Sequence, residues 1–155
     1  MTQADFIAKL RMLLSDEQAV GYPNDSELLL YLDRAVIYYS EQMIAAKDPV
    51  MLKQMEAVGC VDVPNDFVAL AGQWPVEIRG RHMDYYGASP LKVMYFANLP
   101  LVSSAATGEI AIPNVAVPVI LDLARTFALN RNEYDLTQDL KIIEVWQAGA
   151  KGARA

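Results

Sequence analysis

The chain has 155 residues, 54% of them hydrophobic and 21% charged, with 13 Lys and Arg against 19 Asp and Glu for a formal net charge of −6. That length fits one domain, the acidity argues against tight wrapping of nucleic acid, which needs clustered Lys and Arg, and the single Cys60 excludes an internal disulfide framework or a Cys-pair metal site. Met1-Thr2-Gln3-Ala4-Asp5 carries an acid where a secretion signal is basic, and no apolar run approaches the ~20 residues of a membrane span. The expectation is a soluble, unprocessed chain.

Thr2 followed by Asp5 reads as a helix N-cap, and Phe6, Ile7, Leu10, Leu13 and Leu14 then recur at helical spacing, so residues 3–14 are expected to form a short amphipathic helix. Ser15 to Pro23 reads as a loop with Gly21 and Pro23 as breakers. The longest helix is predicted over residues 25–46, with Leu28, Leu32, Ala35, Val36, Tyr39 and Met43 as one apolar stripe. Leu29, Leu30, Ile37 and Ile44 lie off that stripe, so this helix is apolar on a second side and needs a second partner.

Asp48-Pro49 suits an N-cap followed by proline at the first helical position, which predicts a short helix over residues 49–57. Beyond Gly59 the period shortens to two. Val61 and Val63, the turn Pro64-Asn65-Asp66 into Phe67-Val68-Ala69-Leu70, Val76 and Ile78, then Leu91, Val93 and Tyr95 predict antiparallel strands. Arg81 to Pro90 reads as a polar connecting stretch, and Glu109 to Ile112 as a last short strand, so the β region spans about 60–112. Pro113 and Pro118 bracket a return to helix over 118–130, carried by Val119, Ile120, Leu123 and Phe127. A final helix is predicted over 136–148 with Leu140, Ile143, Val145 and Trp146, and residues 149–155 as a flexible arm. The expected fold is α+β and mostly helical, a small bundle of terminal helices with a central antiparallel β-hairpin or small sheet inserted, organised as one domain over 1–148.

Candidate chemistry is sparse. His82 is the only imidazole, so any histidine mechanism must use it; Asp84 could orient it and Ser89 could join them, but no nucleophile motif accompanies His82. Cys60 beside Gly59 reads as a small packed residue, since the local sequence supplies no cation to make a thiolate. No spacing suits a metal, calcium or phosphate site. Tyr31, Tyr38, Tyr39, Tyr85, Tyr86, Tyr95 and Phe96 fit core or interface packing better than base stacking in so acidic a chain. The acids concentrate early: residues 1–60 hold 5 basic against 9 acidic side chains, whereas the last nine residues carry two positive charges and no acid. No catalytic residue, cofactor or metal ligand is assigned.

Leu10-Arg11-Met12-Leu13-Leu14-Ser15-Asp16, followed by Tyr22-Pro23-Asn24-Asp25-Ser26-Glu27-Leu28-Leu29-Leu30-Tyr31-Leu32-Asp33-Arg34-Ala35, resembles the opening of tailed-phage head-to-tail connector (adaptor) proteins. Val63-Pro64-Asn65-Asp66-Phe67 is similar to that family's turn into the sheet, Leu91 to Pro100 to its later strand and Pro-ended loop, and Ile112-Pro113, Pro118 to Asn130 and Asn132-Glu133-Tyr134-Asp135-Leu136 to its closing helix pair. The resemblance spans nearly the whole chain and rests on the order and spacing of motifs that are each degenerate. It departs at Met51 to Cys60, which reads helical where the family often has a strand. The resemblance implies a virion structural protein without catalysis. It would assemble in the host cytoplasm into a ring, usually of twelve copies, in the virion neck. That ring joins the portal protein to a tail or nozzle protein and lets DNA pass without specific binding. In that setting the off-stripe residues Leu29, Leu30, Ile37, Tyr38 and Ile44 are candidates for contact between sister subunits. The family's C-terminal segment reaches the portal, which makes Trp146, Lys151 and Arg154 the docking candidates here. Two other readings are carried: a small cytoplasmic enzyme using His82, and an acidic regulatory module that binds one protein partner as a monomer or dimer.

Overall fold

The structure, a computed structural model, describes residues 1–131. The fold is α+β. Three helices, α1 (Gln3–Leu13), α2 (Asp25–Ala45) and α3 (Val117–Leu129), enclose in sequence six strands: β1 (Leu52–Ala57), β2 (Gly59–Asp62), β3 (Phe67–Leu70), β4 (Glu77–Arg79), β5 (His82–Tyr85) and β6 (Leu91–Ala97). The chain divides into two compact units, one of Met1–Gln42 with Pro100–Ala155, the other of Met43–Leu99. No helix among the described residues is long and apolar enough to cross a membrane. The predicted helix at 136–148 and the arm at 149–155, with Trp146, Lys151 and Arg154, lie outside the described residues.

In the helical unit α1 starts as its sequence requires. The Thr2 hydroxyl accepts from the Asp5 backbone N–H and the Asp5 carboxylate accepts from the Thr2 N–H, a reciprocal capping box. α1 packs against α3, with Phe6 and Leu10 fully buried. The stripe on α2 is buried at Leu28, Leu32, Ala35, Val36 and Tyr39 as expected, joined by Tyr31, while Met43 is only half-buried. α3 buries Ile120, Leu121, Leu123, Ala124 and Phe127, a wide apolar arc that suits a helix with neighbours on several sides. One expectation for α1 changes: Leu13 is exposed, while Arg11 is buried.

Both α1 and α2 end in the same device. Ser15 N–H donates to Met12 O and Asp16 N–H to Arg11 O after α1; Lys47 N–H donates to Ile44 O and Asp48 N–H to Met43 O after α2. These are paired Schellman bonds, which require a left-handed residue past the cap. Here Ser15 (φ 54°) and Lys47 (φ 56°) occupy that position, where glycine is usual.

The segment expected to hold the strands differs from the sequence reading in three places. Asp48 does cap, accepting from Val50 N–H at 2.8 Å, but only for one 3-10 turn at Pro49–Met51. Residues 52–57 are then strand β1, paired along its whole length with β6 from Leu52↔Phe96 to Ala57↔Leu91. Cross-strand pairing with a long partner overrides a local pattern that also suits a helix. The strands therefore begin at Leu52 and end at Ala97. Ile110 and Ile112 are buried as their alternation implies, yet Glu109 makes only an isolated bridge to Thr2 and no strand forms there. Finally, residues 82–85 form strand β5 within the stretch read as a connecting segment.

The strands make two antiparallel sheets, ordered β1-β6-β3 and β2-β5-β4. β1 runs into β2 through Val58 and Gly59 (φ 56°) while β5 runs into β6 through residues 86–90, so one bent ladder passes from the first sheet to the second. Ala57, Val63, Met83 and Val93 form the core of this unit, with Trp74, Phe67 and Leu70 packed against it.

Candidate functional site

Two sets of side chains remain to be accounted for: apolar groups left in water on the helical unit, and a polar row on the second sheet. On α2 the residues opposite the buried stripe are Leu30, Arg34, Ile37 and Glu41. Their 4-3-4 spacing places them along one helical line. Leu30 is 59% exposed and Ile37 47%. The Arg34 guanidinium lies 4.6 Å from the centroid of the Phe127 ring of α3, a cation–π contact that holds the two helices side by side. Between them Arg34, Ile37, Tyr38, Glu41 and Phe127 line an open depression of about 240 Å3. Of the predicted contact residues, the structure thus brings Ile37 and Tyr38 to one depression and Leu30 to the same exposed face, whereas Leu29 and Ile44 are half-buried.

Further exposed apolar side chains of the helical unit were not read from the sequence. Met12 is 64% exposed and Val20 81%, with Leu13 and Leu129 also exposed. Arg125 donates from Nε to Leu13 O, fixing the end of α1 beside α3, and Leu129 follows one turn later on the same side. The available signal was Val20 itself, an apolar side chain inside a loop and just ahead of its two breakers, Gly21 and Pro23. Leu13 was masked because its spacing also fits the buried face.

A polar lattice fixes the loop that carries Val20. The Asp16 carboxylate accepts from the backbone N–H of Val20, Gly21 and Tyr22 at 2.9–3.0 Å. Arg11 donates from Nη1 to Asp16 Oδ2 at 3.2 Å and to Tyr22 O at 2.8 Å, and from Nη2 to Asp25 Oδ1 at 2.6 Å. The amide of Gly21, then those of Tyr22 and Val20, together with Arg11, hold the Asp16 carboxyl below the usual carboxylate range. At the end of α3, Arg131 donates to both Glu27 oxygens at 3.0 and 3.1 Å and stacks 3.9 Å from the Tyr22 ring centroid, while Tyr22 Oη donates to Ala128 O. Tyr31 Oη donates to Glu27 as well; burial first, and this bond second, push the Tyr31 phenol up to about 12. Asp33 accepts from both the backbone and hydroxyl of Ser103. Arg11, Asp16, Tyr22, Asp25, Glu27 and Asp33 all belong to the motif on which the family resemblance rests, and each has a structural occupation here.

On the second sheet Val61, Met83 and Ile78 align across β2, β5 and β4, and the alternate residues form two polar rows, Asp62–His82–Arg79 and Cys60–Asp84–Glu77. His82 does not pair with Asp84: its Nδ1 meets Asp62 Oδ1 at 2.7 Å. Asp84, only 2% exposed, accepts from Arg79 Nε at 3.0 Å and Nη2 at 2.5 Å. Cys60, expected to be packed, is exposed, because it lies on the outward face of β2. The adjacent Asp84 carboxylate, by hydrogen bond and charge, pushes its thiol pKa up, away from a reactive thiolate. Ser89 sits in an exposed bend after β5. Among the described residues no group of three His, Cys, Asp or Glu side chains could hold a metal ion. No protein-family model matches this chain, and no curated protein matches it.

Proposed function

We propose that this chain is the subunit of a tailed-phage head-to-tail connector: a ring, dodecameric by the resemblance, in the virion neck. It joins the portal to a tail or nozzle protein and continues the DNA channel. The observation that carries this reading is the exposed apolar face of α2. A helix that buries one full stripe and still turns Leu30 and Ile37 to water, beside an open depression, has the form of a surface awaiting another protein. Sister subunits supply that protein in a ring. The net charge of −6 supports the second half of the reading, since an acidic channel wall repels passing DNA and lets it slide. The reading assigns no catalytic role and no cofactor. His82 meets Asp62 and Asp84 meets Arg79, so the particular pairing of His82 with Asp84 is not made.

Light scattering and negative-stain imaging of the purified protein, alone and with purified portal rings, test the proposal. Annular particles, or portal complexes with an added ring, are the expected result. A protein that stays monomeric in both conditions and binds no portal overturns it.

A further inference from the structure

The exposed line on α2 lies close to the point where the described chain ends. α2 and α3 run antiparallel, since Arg131, just past α3, pairs with Glu27 in the first turn of α2, while Phe127, one turn earlier, meets Arg34. The chain therefore leaves α3 beside the start of α2, about one turn before Leu30 and at the near end of the open depression between the two helices. Beyond that point the sequence supplies a connection of four residues, 132–135, and then the helix predicted over 136–148, whose Leu136, Leu140, Ile142, Ile143 and Trp146 fall within an arc of about 160°. We infer that this segment of the chain covers the Leu30–Ile37 face in the free subunit, so that the face opens to a sister copy only when the segment leaves it. The inference rests on the ring reading for what replaces the segment, and adds the step that regulates access to that surface.

Length, register and charge choose this occupant. Helices joined by so short a connection are antiparallel neighbours, so the segment returns along α3 and runs in the direction of α2. A helix over 136–148 spans about 19 Å, and the line from Leu30 to Glu41 about 16 Å. Counted symmetrically about the connection, Phe127 lies opposite residues 139 and 140, which sets Asp139 level with Arg34, and Ile142 and Ile143 level with Ile37. Asp139 is the one charged residue within the apolar arc. Arg34, the cation within the α2 line, has no carboxylate partner among the described residues. The two single charges thus meet inside an apolar contact and fix its register. Tethering decides against a second copy in the free protein: a short connection holds the segment at an effective concentration of order millimolar, far above that of a subunit in dilute solution.

Disulfide trapping in the full chain tests this. In a Cys60→Ser background, Ile37→Cys is paired with Ile143→Cys on the apolar side of the segment, or with Lys141→Cys on its opposite side, and each chain is oxidised in dilute solution. The far-UV spectrum checks that the fold is kept. The expected result is a monomer that migrates faster before reduction, formed at least tenfold sooner with position 143 than with position 141. Disulfide-linked dimers in place of the closed monomer, equal rates at the two positions, or no bond at all overturn the inference and leave the ring reading standing. The closed monomer is then mixed with portal rings and is expected to add no ring until dithiothreitol opens it. A closed form that assembles as readily as its reduced form overturns the regulatory step. A Cys60→Ser chain that never assembles overturns the ring reading alone, since the trapped bond still reports the covering segment.

Discussion

Replacing Arg11 by Met tests whether the lattice behind the 15–24 loop holds the helical unit together. Met keeps most of the aliphatic stem of Arg11 in contact with its surroundings and removes the guanidinium. Four donated bonds go with it, to Asp16 Oδ2, Asp16 O, Tyr22 O and Asp25 Oδ1, at 3.2, 3.5, 2.8 and 2.6 Å. Breaking a buried ion pair from one side costs about 3–5 kcal/mol, because the remaining charge is left in a poor solvent. Asp16 keeps its three backbone donors, and the Asp25 side chain is 64% exposed and can return to water, which lowers the expected cost to about 2–3 kcal/mol. For a chain of this size that corresponds to a fall in Tm of roughly 4–12 °C. Urea unfolding followed at 222 nm is the assay, with a lowered midpoint and an unchanged slope expected. Because the pair is sheltered, 0.5 M salt should leave most of the difference in place. A loss below about 1 kcal/mol, or one abolished by salt, would mean that Arg11 behaves as an ordinary surface charge, and the account of the loop would fall.

Three further outcomes follow from the same structure. Ser15→Gly and Lys47→Gly, each relieving a left-handed non-glycine residue in a Schellman cap, should stabilise by about 0.5–1 kcal/mol in thermal melts; destabilisation would contradict the assigned backbone geometry. Asp16 and Glu27 have folded-state pKa values below their ordinary ones, so their contribution is complete above the usual carboxylate range near pH 4 and fades as pH falls further through the depressed values. Stability measured from pH 6 to 2.5 should therefore drop at the acid end, less steeply in Asp16→Asn, and equal slopes would refute this. Modification of Cys60 by a disulfide reagent at pH 8 should be slower than for a free thiol and should accelerate several-fold in Asp84→Asn, provided the far-UV spectrum is unchanged; an unaltered rate would remove the role given to Asp84.

The helices were legible because their signals are local. Thr2 with Asp5 fixed one start, and the Leu28–Tyr39 stripe fixed α2 to within a residue or so. The β region was harder for a physical reason. Whether Leu52–Ala57 is strand or helix depends on Leu91–Ala97 arriving beside it, which nothing within the segment states. Similarly, Ile110 and Ile112 alternate and are buried, but no neighbouring strand runs there to make a sheet. Of the surface residues, the off-stripe positions Leu30 and Ile37 were readable from α2 alone. The exposed setting of Leu13 and Val20 was not, because it depends on Arg125 reaching the Leu13 carbonyl from 112 residues away and on Asp16 gathering the loop amides, and neither leaves a periodic mark. Asp84 was misread on sequence proximity: its partner, Arg79, lies across a tight turn on the neighbouring strand β4, while His82 was merely closer in sequence.

The Asp16 carboxylate has one more consequence. Loop amides ordinarily exchange their hydrogens with solvent within seconds, yet those of Val20, Gly21 and Tyr22 are all bonded to a single sheltered oxygen pair. Their exchange should proceed only when the surrounding helices open, so this turn would label on the slow timescale of α1 and not with the surface. It follows that the segment joining α1 to α2, although it contains Gly21 and Pro23 and has no regular structure, is a poor place for an inserted tag or a protease site, and lengthening it by even one residue would displace three donors from one acceptor.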